Sequence, residues 1–341
     1  MKNQRVIGYD IIRIIASVMV VAIHSNVFYL SPPDGSLNWL IVMELTALCV
    51  IAVPLFFMVS GAGNLVREDV ISIKQLYRGK IPKQFVPFLL WSVIYVVIRM
   101  AMGKIPVSAD NFISLIWEPA YYQFWFMYTL FGLYLLIPVF QFLLQRADQK
   151  ILQYILIFWI AGSVILPLAV RYIPGFRLSG HFDILFLEGY WGYFLLGGYL
   201  RKYPVRNSKR AGRMLFIAGI ILTGVAAVIE WIFTEPQSYY GYVYSAYLFP
   251  GAVMASVGVF LFLSDVKLEE KKRKIILHLS GLSMGVYYLH TLVISGLEQF
   301  FVSWGKGVGV VVLKWMAVCI LSALITEVIK KVKWLRGLLL N

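Results

Sequence analysis

Apolar stretches of about 20 residues, the length that crosses a bilayer core, recur from one end of the chain to the other. About ten can be drawn, at roughly 11–30, 40–65, 84–103, 123–144, 151–172, 184–200, 212–233, 243–264, 275–301 and 308–329. Polar residues separate them in short runs, and no run is long enough to fold as a soluble domain. The sixth stretch is short and carries Gly189, Gly192, Gly197 and Gly198. The pattern predicts an all-α, polytopic transmembrane helix bundle of about ten spans, with residues 1–341 forming a single transmembrane domain.

The placement of charge gives these spans a direction. The chain holds 31 Lys and Arg against 17 Asp and Glu, a net charge of +14. If the N-terminus is cytoplasmic, only Arg99, Lys104, Arg171, Arg177 and Lys306 fall on the outer side, and Arg13 and Lys314 fall within spans. All the other basic residues lie in inner loops, as the positive-inside rule requires. Both termini are therefore expected in the cytoplasm. The positive charge is explained by topology and anionic lipid, so nucleic acid is not an expected partner. The first apolar run is too long for a signal-peptide core and lacks a small-x-small cleavage site, so it is expected to stay as an anchor. Cys49 and Cys319 fall inside spans and read as small buried residues. Four His residues without Cys clusters give no metal spacing.

Against this apolar background the first span is unusual. Arg13 and His24 are eleven residues apart, which returns a helix to within about 20° of its starting face. Asp10 and Ser17 share the stripe. Polar side chains inside a span usually line a cavity, although snorkelling of Arg13 and simple packing of His24 are the structural alternatives. Asp10 lies roughly 21 Å from His24 along the axis and suits Arg13 at i, i+3 instead. The orienting partner of His24 must come from another helix, and Glu44 on the second span is a candidate; Glu44 bonded to a neighbouring helix is the other reading. His290 lies at a depth similar to His24, which suggests either a shared cavity or a packed structural residue. In the loop before the third span, Arg78, Lys80 and Lys83 can serve phosphate groups or can simply mark the inner face. Ser60 ends the second span, which Pro54 is expected to kink. Trp125 and Tyr128 belong to an aromatic cluster that reads as an interfacial belt or a sugar-stacking surface. Outer loops at 31–38, 121–123 and 180–183 offer hydroxyls, amides and acids but few cations.

Several motifs, taken in order, resemble the acyltransferase 3 family of bacterial membrane enzymes. They are Asp10-x-x-Arg13 followed by His24; Pro54-Leu55-Phe56-Phe57-Met58-Val59-Ser60-Gly61; Lys80-Ile81-Pro82-Lys83 before Pro87-Phe88-Leu89-Leu90-Trp91; Trp125-Phe126 with Tyr134-Leu135-Leu136-Ile137-Pro138; Gly192-Tyr193-Phe194-Leu195-Leu196-Gly197; and Met284-Gly285-Val286-Tyr287-Tyr288-Leu289-His290. Two departures stand out. The family's paired arginines are Lys80 and Lys83 here, and Lys lacks the planar fork of Arg. Leu130 stands where one family branch carries a glutamate.

The resemblance implies an O-acyltransferase of the bacterial cytoplasmic membrane. Its donor would be a cytoplasmic acyl-CoA, most simply acetyl-CoA, used as a substrate with no tightly bound cofactor. Its acceptor would be a hydroxyl of a cell-envelope glycan or lipid-linked sugar. Under it, His24 and Arg13 are catalytic. Arg13, Arg78, Lys80 and Lys83 would bind acyl-CoA, and Glu44, Ser60, Trp125, Tyr128 and His290 would support the acceptor pocket. His24 would act as general base or carry the acyl group in two steps. The rival from another class is a transporter or flippase of a lipid-linked sugar with a His-based proton relay. Inverted repeats and several midplane acids would be its signature, and neither is evident.

Overall fold

The fold was analysed in a computed structural model, which describes residues 5–30, 36–177, 189–233, 247–305 and 307–340. Among the described residues 81% are helical, and there is no strand. The principal helices are α1 (Ile7–Leu30), α2 (Leu37–Cys49), α3 (Ala52–Leu65), α4 (Ile73–Ala101), α5 (Trp125–Leu135), α6 (Ile137–Arg146) and α7 (Gln149–Tyr172). They continue as α8 (Trp191–Lys202), α9 (Ser208–Phe233), α10 (Pro250–Ser264), α11 (Glu270–Ser280), α12 (Ser283–Val302), α13 (Val308–Lys331) and α14 (Lys333–Leu339).

Every apolar stretch of the sequence falls on a helix or a helix pair, but fewer than ten are straight spans. Among the described residues, six helical segments are long and apolar enough to cross a membrane, or up to eight if the bent pairs count as one span each. The bends account for the step from six to eight. α5 and α6 meet at 49°, and α11 and α12 at 48°. α10 is shorter than a full crossing. The sixth and eighth stretches begin at 184–188 and 243–246, which lie outside the described residues, as do the loop positions 31–35 and 180–183.

Proline explains most of the interruptions. Lacking an N–H, it frees the carbonyl four residues before it. Pro54 follows the break between α2 and α3, and Pro138 opens α6 after the bend. In α4 the backbone widens into a π-turn at Leu76–Lys80, where the Ile81 N–H donates to the Leu76 carbonyl, just ahead of Pro82. A second π-turn, Ala161–Ile165, precedes Pro167 in α7. Such π-turns are rare and cluster at functional sites.

Two features set the frame around the site. α3 and α8 cross with their backbones in contact: a Cβ on Gly61 would collide with the Phe194 carbonyl, and one on Gly197 with the Met58 carbonyl. Small residues allow this approach where no water drives helices together. The lipid-side faces stay apolar, with Ile157, Ile221 and Val328 about 60% exposed on α7, α9 and α13. Lys314, in the first half of α13, is buried with its Nζ 2.5 Å from Glu298 on α12. That is how a bundle accommodates a charge at membrane depth.

Candidate active site

A cavity of about 520 Å³ runs between α1, α3, α4, α5 and α12. This is the size of a small-molecule site. Each helix contributes one face. On α1 the lining residues are Arg13, Val20, Ile23 and His24, and on α3 they are Val53, Phe56, Ser60, Gly63 and Asn64. These are helical spacings, so the stripe of Arg13 and His24 does face one space. The two are roughly 16 Å apart along α1, which makes them the poles of the cavity.

At the basic pole, one carboxylate organises the cations. Asp10 is fully buried. It accepts hydrogen bonds from Arg5 (Nε 2.9 Å and Nη2 2.7 Å), from Arg13 Nη1 at 3.1 Å and from Ser280 Oγ at 2.7 Å. The bond to Asp10 raises the pKa of the Arg5 guanidinium above its ordinary value. A fork-on-carboxylate pair holds the side chain as well as its charge. Across the cavity, Lys80 donates to Asn64 Oδ1, and Asn64 Nδ2 donates to Ser60 Oγ at 3.2 Å. The Asn64 carbonyl in turn accepts from Gln141 Nε2 at 2.7 Å, so the Lys80 partner is itself anchored to α6. Lys80, Lys83 and Gln84 line the cavity together. They sit at i, i+3 and i+4, starting from the last residue of the π-turn.

At the other pole two imidazoles meet. His24 Nδ1 lies 2.7 Å from His290 Nε2, with ring planes 15° apart. His290 Nδ1 lies 3.0 Å from the Val286 carbonyl. A carbonyl can only accept, so Nδ1 of His290 carries its proton and Nε2 offers a lone pair. His24 must then donate from Nδ1, which leaves its Nε2 unprotonated. Tyr122 packs edge-on against the His24 ring at 5.0 Å. The wall beyond is aromatic: Trp125 packs against Tyr247 at 5.5 Å and against Tyr190 at 5.6 Å.

Several residues singled out in the sequence stand elsewhere. Glu44 is not the partner of His24. It points toward Gly224 on α9, where the missing side chain makes room for it, and its Oε1 has no hydrogen bond. Neither Glu44 nor Tyr128 is among the cavity-lining residues. The Tyr128 hydroxyl donates outward to the Leu115 carbonyl at 2.6 Å, with the Glu118 carbonyl 3.0 Å away. Arg78 is exposed. It sits two residues before Lys80, and that step turns it to the opposite side of the helix. Ser60 and Trp125 do line the cavity, while His290 stands behind His24.

Other lining residues carry no sequence signal of their own. Arg5, Gln123, Tyr247 and Ser280 reach the cavity from the residues before α1, from the single 3₁₀ turn Tyr122–Phe124 ahead of α5, and from helix junctions, where no periodicity marks a face. Asn64 is one helical turn beyond Ser60, and the face shared by Val53, Phe56 and Ser60 leads to it. Among the described residues, no group of three His, Cys, Asp or Glu could hold a metal ion.

Comparison with curated proteins and with solved structures gives no match. The family model described as an acyltransferase domain matches residues 6–329, nearly the whole chain. The matched span holds both poles of the cavity, apart from Arg5, and the chain therefore belongs to the acyltransferase 3 family, as a multi-pass membrane O-acyltransferase.

Proposed function

We propose that the protein moves an acetyl group from cytoplasmic acetyl-CoA to a hydroxyl of a cell-envelope glycan or lipid-linked sugar. The reading places it in a bacterial cytoplasmic membrane, with about ten crossings and both termini inside. One observation carries it. A single cavity joins a cationic pole to an imidazole whose Nε2 is free to accept a proton. The pole separation of roughly 16 Å is comparable to an extended pantetheine arm. Phosphates held by Arg5, Arg13, Lys80 and Lys83 would present the thioester to His24. The rest of the nucleotide would stay at the cavity mouth.

In the direct route, the acceptor oxygen attacks the thioester carbonyl while His24 Nε2 takes the hydroxyl proton. The C–S bond breaks, and the proton passes from His24 to the departing thiolate, giving the ester and free coenzyme A. In the two-step route, Nε2 itself attacks the thioester carbonyl and the C–S bond breaks to release the thiolate; the acceptor hydroxyl then opens the acyl-imidazole, the C–N bond breaks, and the hydroxyl proton ends on the thiolate. In both, His290 holds the His24 ring with Nε2 toward the reacting carbon, as an orienting partner does in a hydrolase triad.

Sealed vesicles of known orientation test the reading. Radiolabelled acetyl-CoA supplied only at the cytoplasmic face should acylate an acceptor confined to the opposite face. A requirement for both substrates on the cytoplasmic side would overturn the through-membrane arrangement. The absence of transfer or hydrolysis under any arrangement would overturn the donor assignment. Label recovered on His24 after rapid quenching selects the two-step route.

A further inference from the structure

Gln123 lines the cavity and also joins a hydrogen-bonded chain running behind the imidazole pair. Its Nε2 donates to Thr291 Oγ1 at 2.9 Å. Thr291 Oγ1 lies 2.5 Å from the Tyr95 hydroxyl, and that hydroxyl donates to the Tyr288 carbonyl at 2.7 Å. The terminal carbonyl fixes the order of the whole chain. Tyr95 has given its only proton away, so Thr291 donates to Tyr95, and the oxygen of Thr291 must receive an N–H. The Gln123 amide therefore cannot be flipped without losing a bond. Its Oε1 is left with no partner, in a side chain only 1% exposed.

The residues on either side of this chain belong to the imidazole pole. Tyr122 packs on the His24 ring, and Thr291 follows His290 directly. The Gln123 backbone carbonyl is held by the Tyr287 hydroxyl at 2.9 Å, so the main chain of this residue is anchored as well as its side chain. A buried amide oxygen without a donor costs free energy that a ligand can recover.

At the level of His24 the donor substrate has little to offer it. A thioester carbonyl and its sulfur only accept, and an acetyl methyl carries no polar hydrogen. The amide N–H groups of a pantetheine arm lie further back, toward the cationic pole. The acceptor carries hydroxyls. We infer that Gln123 is a specificity-determining residue, its Oε1 accepting a hydrogen bond from a second hydroxyl of the acceptor, adjacent to the one that is acylated. The inference rests on the acyl-transfer reading above and adds a requirement to it. The acceptor must be a diol at the reacting position, as on a sugar ring stacked against the wall formed by Trp125 and Tyr247.

The test uses purified full-length protein in lipid nanodiscs, acetyl-CoA, and methyl glycosides of common hexoses with their monodeoxy analogues. Transfer is read as product ester, with KM and kcat separated for each acceptor. The wild-type protein should discriminate about tenfold or more in kcat/KM against the analogue lacking the neighbouring hydroxyl. Gln123→Met should bring that ratio close to one, chiefly by raising KM for the parent glycoside. Gln123→Glu keeps an oxygen in place and should retain part of the discrimination. Thr291→Val, which removes only the internal arm, should alter the ratio less than Gln123→Met does. Discrimination that persists in Gln123→Met overturns the inference, as does an equal loss on parent and deoxy acceptors. A rise in KM for acetyl-CoA alone would assign Gln123 to the donor and overturn it too. If wild-type protein acylates no hydroxyl compound, the acyl-transfer reading fails along with the inference.

Discussion

The two poles of the cavity are built by opposite means. At the basic pole, a buried carboxylate and an anchored amide hold full charges in fixed positions: Asp10 for Arg5 and Arg13, and Asn64 for Lys80. At the imidazole pole, the contacts around His24 are neutral, and order comes from the direction of protons along Val286, His290 and His24. Fixed charges attract and locate an anion, and they do so through thick and thin of the reaction cycle. A proton-ordered neutral pair does nothing to an anion at rest. It acts when a hydroxyl arrives and a proton has to move. Binding and chemistry are thus separated along one helix, and substitutions at the two poles should fail in different ways.

The largest effect is expected at the imidazole pole. His24→Ala should lower transfer by roughly 10² to 10⁴, the usual contribution of a general base, and should leave acetyl-CoA affinity and folding intact. Single-turnover assays with a thermal-unfolding control measure both, and near-normal transfer by a folded variant would remove His24 from the chemistry.

Next in size is the basic pole. Lys80→Ala combined with Lys83→Ala should weaken acetyl-CoA binding by roughly tenfold or more per charge, the scale of a charge-assisted hydrogen bond, while acceptor KM stays within about twofold. Unchanged donor affinity in a binding titration would reduce these lysines to markers of the inner face.

His290→Gln sharpens the contrast. It should reduce kcat by about 10² with little effect on donor KM, because the His24 ring loses the partner that fixes its tautomer. It should also displace the pH–rate profile, which a merely structural role would leave in place. The smallest effect belongs to Arg78→Ala. An exposed side chain outside the cavity should change kcat/KM by no more than about twofold, and a tenfold loss would place the cavity mouth further out than the present walls.

How far the sequence reached follows the same division. The helices were legible because bilayer length and apolar composition act on every residue of a span. The shared face of Arg13 and His24 was legible because eleven residues overshoot three full turns by only about 20°. The pairing of His24 with His290 was not, since it joins helices far apart in the chain, and only their common depth hinted at it. Glu44 misled for a related reason. Depth alone cannot say which neighbour a side chain faces, and the gap at Gly224 gave it another direction. Arg78 was grouped with Lys80 and Lys83 by charge, but the helical step separates them. Arg5 and Gln123 lie where no periodicity operates, so only the folded chain brings them to the cavity.

The glycine contact between α3 and α8 has a mechanical consequence. Two helices whose backbones touch at Gly61 and Gly197 cannot slide or part without losing that fit, so this pair behaves as the stator of the bundle. The opposite walls are interrupted: α4 by its π-turn, α5 at its 49° junction with α6, and α12 at its 48° junction with α11. Room for a ligand to enter or leave must therefore come from the α4, α5 and α12 side. A crosslink clamping α3 to α8 should leave turnover close to normal, whereas one clamping α4 to α12 should stop it with substrate still able to bind at the basic pole.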